Sequence, residues 1–93
     1  MSNCIEPGFY RHFKGGYVLV LFTAKHSDRE EVEVVYKGLN NGKFYARPIE
    51  SFCEIVTNEE GEKVSRFTIV KKEDVDYLMT DDVKSIFNIF CKK

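Results

Sequence analysis

The sequence predicts a mainly β protein: a small, strongly bent antiparallel barrel of five or six strands, SH3-like in size, followed by a C-terminal α-helix. Three observations carry this reading. Short β-prone runs recur about every 8 to 12 residues with turn residues between them. Residues 9–70 leave no room for the crossover helices that parallel strands would need. Beyond Val70 the apolar spacing changes from the period of a strand to that of a helix.

The elements follow in order. Residues 9–13 are β-prone, and Gly15-Gly16 comes next. Glycine reaches positive φ without steric cost, so the pair marks a hairpin. Residues 17–22, YVLVLF, are apolar on both faces, so a second layer must cover the outer one. Ser27 followed three residues later by Glu30 has the capping-box pattern and predicts a helical or tight turn. Residues 31–37 alternate, with Val32, Val34 and Tyr36 on one face and Glu31, Glu33 and Lys37 on the other. Asn41-Gly42 then predicts a hairpin into residues 44–47, which Pro48 stops. Residues 52–56 and 64–70 read as two further strands around the polar turn at 58–61. Thr80-Asp81-Asp82 offers an N-cap hydroxyl and acids at the positive end of a helix dipole. Val83, Ile86, Phe87 and Phe90 follow at the spacing of one apolar helix face. Residues 1–70 thus form the β domain. Residues 71–93 form a helical extension that packs on it, giving a monomer, or on a second chain, giving a homodimer.

The length of 93 residues suits one domain, and thirteen aromatics enlarge a core that would otherwise be small. Fourteen basic residues balance fifteen acidic ones, which argues against a dedicated nucleic-acid binder. Three widely spaced cysteines, Cys4, Cys53 and Cys91, are read as reduced thiols. The MSNCIEPG start has no basic or apolar leader pattern, and the run at 17–22 is too short to span a bilayer. The expected location is therefore the cytoplasm, with no membrane partner.

Four blocks taken in order, YRHFKGG (10–16), AKHS (24–27) leading to VVY (34–36), ARPIESF (46–52) and SRF (65–67), resemble the bacterial domain of unknown function 1653 family. The resemblance spans residues 9–70 and leaves 71–93 outside. It implies a small bacterial β-rich protein and no reaction.

Those blocks hold the polar side chains from which a site could be built. Arg11, His12, His26 and Arg47 supply guanidinium forks and titratable donors suited to a carboxylate or phosphate. Arg47 precedes Pro48 and is thereby held extended. Tyr45 shares a strand face with Arg47 and, with Lys43, makes a stacking platform. Each has a plainer role available, as a surface residue, a donor to a turn carbonyl or a core aromatic. Tyr10 and His12 face one side of their strand, Arg11 and Phe13 the other. A core-side Arg11 would need a carboxylate such as Glu50 or Glu54. His26 lies far along its strand from Gly16, so the basic residues form one site only if that strand coils strongly.

The expected function is a non-catalytic binding module for an anionic ligand, a peptide or a nucleic acid segment. The alternative is a small hydrolase or transferase using a histidine with Cys53 or Ser27. Cys53, flanked by apolar residues, reads as a buried small hydrophobe. His12 and His26 lack metal-ligand spacing, so no metal or cofactor is expected.

Overall fold

The computed structural model describes residues 5–91. Cys4 and the Lys92-Lys93 pair lie outside the described residues. Five antiparallel strands form the main sheet: β1 (Gly8–His12), β2 (Tyr17–Lys25), β3 (Val32–Gly38), β4 (Phe44–Pro48) and a late strand at Phe67–Ile69. Their order is β4, β3, β2, β1 and then Phe67–Ile69. Between β4 and that last strand the chain makes a single helical turn, α1 (Ile49–Phe52), and a separate ribbon of β5 (Ile55–Thr57) and β6 (Lys63–Ser65). The last strand of the sheet is therefore β7. A 3₁₀ segment (Lys72–Leu78) and the helix α2 (Asp81–Phe90) complete the fold.

The sheet is bent but does not close into a barrel, because its edge strands β4 and β7 are not bonded to each other. Pro48 explains the opening: it cannot extend a ladder, and the chain leaves the sheet there for residues 49–66. The bend has a local source in β2. The register against β3 shifts between Val20 and Phe22, leaving Leu21 as the extra residue of a bulge, and a bulge sharpens strand twist.

Each face of the sheet carries its own core. Tyr10, Val18, Val20, Val34, Tyr36 and Phe67 bury one face together with Phe52 from α1. Phe9, Leu19 and Leu21 bury the other against Val75 of the 3₁₀ segment and Val83 of α2. The two-faced apolar run of β2 is thus covered on both sides, as its sequence requires. The Gly-Gly turn is formed with both glycines at positive φ, 103° and 87°. Asn41-Gly42 likewise turns β3 into β4, with Gly42 at φ 74°.

Some boundaries differ from the sequence reading. Residue 52 begins no strand: Ile49–Phe52 is a helical turn entered from Pro48, and β5 starts at Ile55. Cys53, expected to be buried, ends that turn and is exposed. The run at 64–70 is divided at Arg66, whose N–H donates to the Glu54 carbonyl while its own carbonyl accepts from Phe13. Residues 27–30 form a bend rather than a helical turn, closed by His26 N–H donating to the Glu31 carbonyl at 2.8 Å. The charged hinge after Val70 is ordered as 3₁₀ helix because Val75 anchors it in the core, 0% exposed.

Helix α2 starts as the sequence suggests, with the Thr80 Oγ1 accepting from the Val83 N–H. Val83 is buried, while Ile86 and Phe87 pack on the sheet and the Phe87 ring stacks on Phe9 at 5.2 Å. Phe90 departs from the expected buried face. It lies at the fringe, 42% exposed, against Phe22. Truncating a fully buried Phe costs ~3–5 kcal/mol, so losing the ring of Phe87, which is largely but not fully covered, should cost less, about 2 kcal/mol. Phe87→Ala is expected to lower the urea midpoint accordingly, and Phe90→Ala to lower it by less than half as much. Equal losses would mean that the helix is seated differently.

Candidate functional site

Register decides which side chains meet. Tyr36 pairs with Tyr45 and Val34 with Arg47, so Tyr45 and Arg47 stand on the Val34–Tyr36 side of the sheet. His12 pairs with Phe67, and both lie on the side of Tyr10 and Val18, which is the same face. At the hairpin end of this face the sheet encloses an open cleft of about 350 Å³. Its walls include His12, Tyr36, Tyr45, Arg47 and Phe67, and Gly16 and Gly38 form part of its floor. A methyl group at Gly38 would lie 2.6 Å from Asn41 Oδ1, so glycine is what lets the β3–β4 turn fold against the floor.

Hydrogen bonding within the protein polarises this cleft. The Arg47 Nε donates to the Tyr36 hydroxyl at 3.3 Å, and its Nη1 donates to Ser51 Oγ at 3.1 Å. The guanidinium lies over the Phe67 ring, 5.9 Å from its centroid. The Asn41 Nδ2 donates to the Tyr45 hydroxyl at 2.7 Å, its orientation set by Oδ1 accepting from the Lys43 N–H. The Lys14 N–H donates to His12 Nδ1, which assigns the proton of the neutral ring to Nε2. Both hydroxyls therefore serve the protein as acceptors and keep a hydrogen to donate. Three of the five Arg47 N–H groups and the His12 Nε2–H also remain. Among the described residues none that lines the cleft is acidic. A site made of donors, with one permanent positive charge and aromatic walls, is suited to an anion.

The structure therefore brings together three of the five residues expected at a site, His12, Tyr45 and Arg47. Arg11 is exposed on the opposite face, paired with Tyr17 and Thr68. It has neither expected partner, since the Glu54 carboxylate accepts from Arg66 Nη2 at 2.7 Å. His26 follows the far end of β2, where its Nδ1 accepts from the Asp28 N–H. The wider crevice beside Arg11, about 860 Å³, also contains Lys14, Glu59 and Glu60, so its charges offset one another. Tyr36, Phe67 and Gly38 were not among the expected site residues. The alternation of β3 was the only sequence signal that placed Tyr36 on this face.

His12 is held below the ordinary histidine range, first by burial and then by the charges of Arg47, Arg66 and Lys14. Between 6.5 and its lowered value the unfolded chain binds a proton that the folded chain does not. Stability should therefore fall as pH is lowered through that window, and His12→Gln should flatten the trend. A wild-type thermal midpoint that rises on acidification below pH 6.5 would contradict this.

Among the described residues no three His, Cys, Asp or Glu side chains gather as metal ligands, and no helix is long and apolar enough to cross a membrane. An open antiparallel sheet, covered on one face by α2 and carrying a donor-lined cleft on the other, defines a small β-rich protein with a surface cleft. Residues 8–69 match the family described as a protein of unknown function, DUF1653, and the chain belongs to that family. A crystal structure of a DUF1653 protein from Bordetella bronchiseptica is similar to it, with 33% identity and a TM-score of 0.65. The likeness covers 71% of this chain and 87% of that one. No curated protein matches the chain.

Proposed function

We propose that this protein is a cytoplasmic, non-catalytic binding module whose cleft takes an anionic ligand on Arg47, His12 and Tyr45. The observation that supports this most is the direction of the hydrogen bonds: Tyr36, Tyr45 and His12 each use an acceptor atom within the protein and keep a donor hydrogen, beside a cleft that no carboxylate lines among the described residues. Arg11 and His26 are left outside the ligand set.

The same bonds weigh against acid–base catalysis. A histidine whose Nε2 carries the proton is a donor there and not a base. Ser51 Oγ accepts from Arg47, which does not activate it as a nucleophile. Partial burial pushes the Cys91 thiol up, which disfavours the reactive thiolate.

The test is a thermal-shift screen over small carboxylates, phosphates and short oligonucleotides. A ligand at 100 times its Kd stabilises by ~2.7 kcal/mol, which raises the midpoint of a domain this size by several degrees. At least one anion class should stabilise wild-type protein. Stabilisation by none of these anions would refute the reading.

A further inference from the structure

Resting on the reading above, we propose that the cleft is shaped for one small monoanion with a flat unsaturated body, an aromatic carboxylate, and not for a stretch of nucleic acid. Four observations lead there.

The first is the charge. Among the described residues Arg47 is the only Lys or Arg that lines the cleft. It keeps three N–H groups after serving Tyr36 and Ser51, and with Nε engaged the Nη1–Nη2 end is the edge left for a carboxylate. Arg66, the nearby cation, is already held by Glu54 and by the Ser51 carbonyl. One free guanidinium matches a single negative charge better than a phosphate dianion.

The second is the walls. Tyr45 is stacked on Tyr36 with centroids 5.5 Å apart and planes 26° from parallel. Tyr45 is 39% exposed, so part of its ring remains for contact with an aromatic ligand. Val18 and Phe67 complete an apolar lining that an inorganic anion would leave unused.

The third is size. A cleft of about 350 Å³ lies near the lower end of small-molecule sites, which run from roughly 300 to 1,000 Å³.

The fourth is what surrounds it. The chain beyond Arg47 runs through Pro48 into a crevice lined by Glu30, Glu31 and Glu50. The chain beyond His12 runs through Phe13 and Lys14 into the crevice that holds Glu59 and Glu60. A polyanion leaving the cleft past Pro48 would meet three glutamates, and in the other crevice Arg11 and Lys14 only offset Glu59 and Glu60, so neither path offers it a net cationic track. A compact ligand that ends inside the cleft meets neither group.

Isothermal titration calorimetry on the full chain separates the alternatives, using benzoate, cyclohexanecarboxylate, inorganic phosphate and an eight-nucleotide oligo-dT as probes. Benzoate should bind one to one, about fivefold more tightly than the saturated acid of similar size. Tyr45→Leu should bring the two acids to similar affinity while leaving the fold intact by circular dichroism. Phosphate or oligo-dT binding more tightly than benzoate, with that binding lost in Arg47→Gln, would overturn the ligand class while keeping the cleft as an anion site. Heat from none of the four, or binding unchanged by Arg47→Gln, would overturn both.

Discussion

Phe52→Ala is expected to cost about 3–5 kcal/mol and to leave a domain that is partly unfolded at 37 °C. Phe52 is 1% exposed and is the one buried residue of the α1 turn. Its ring stacks on Phe67 at 4.2 Å and meets Tyr10 and Tyr36 edge-on at 5.4 and 5.6 Å. Truncation therefore removes the transfer free energy of a whole ring and opens a cavity bounded by three aromatics in three different strands. Those strands are fixed by their ladders and cannot collapse fully to fill it. Domains of this size have about 5–15 kcal/mol in total, so the loss takes a large share of the whole. Urea denaturation followed by circular dichroism checks this. The effect should exceed that of Phe87→Ala about twofold, because the Phe87 ring is only partly covered. Phe52→Leu, which keeps most of the volume, should recover much of the loss. If Phe52→Ala unfolds with the wild-type midpoint, α1 does not hold the cleft face together.

Arg47→Gln should weaken binding of a cleft anion at least tenfold, and more where the anion takes two parallel bonds. A charge-assisted hydrogen bond contributes about 1.5–3 kcal/mol, and two bonds share one guanidinium here. The variant keeps a planar donor but loses the charge and the fork. Its cost to stability should stay within about 1–2 kcal/mol, because the bonds to Tyr36 and Ser51 lie in a half-open setting where water can replace them. Arg47→Lys should not rescue binding, since an ammonium offers a point charge in place of a fork. Arg11→Gln is the matched control on the opposite face and should bind as wild type does. Equal losses in the two variants would show that general electrostatics, and not the cleft, governs binding.

Local signals gave the strands, and long-range register gave the site. The alternation of Val32, Val34 and Tyr36, the Asn41-Gly42 turn and the Thr80 cap act within a few residues, so they could be read directly. The pairing of Tyr45 with Arg47 on one face follows from a period of two and was legible for the same reason. His12 was named with them by its chemistry alone, because its position beside them depends on three successive ladders, β1 to β2, β2 to β3 and β3 to β4, all in register. Arg11 was grouped with the site by charge type, although the alternation of its own strand had placed it opposite His12. His26 was separated by distance along β2, which the bulge at Leu21 bends but does not fold back. The α1 turn escaped notice because Phe52, Ile55 and Val56 are β-prone taken alone. What decides that segment is Pro48, which ends the ladder, and the pull of Phe52 into the aromatic cluster. The open edge between β4 and β7 has the same origin, since a strand spacing that suits a barrel does not reveal that residues 49–66 pair with each other instead.

The proposed ligand site is the hairpin end of the face that carries Tyr36 and Arg47. Amide chemical-shift mapping of the full chain during titration with benzoate, and separately with inorganic phosphate, tests it most directly. Perturbations should concentrate at Gly16, Gly38, Tyr45, Arg47 and Phe67, with the His12 ring signals moving in step. Residues 28–31 and 57–60 should stay still. Shifts centred on the Arg11–Glu59 crevice or around His26, with the cleft amides unmoved, would contradict the account.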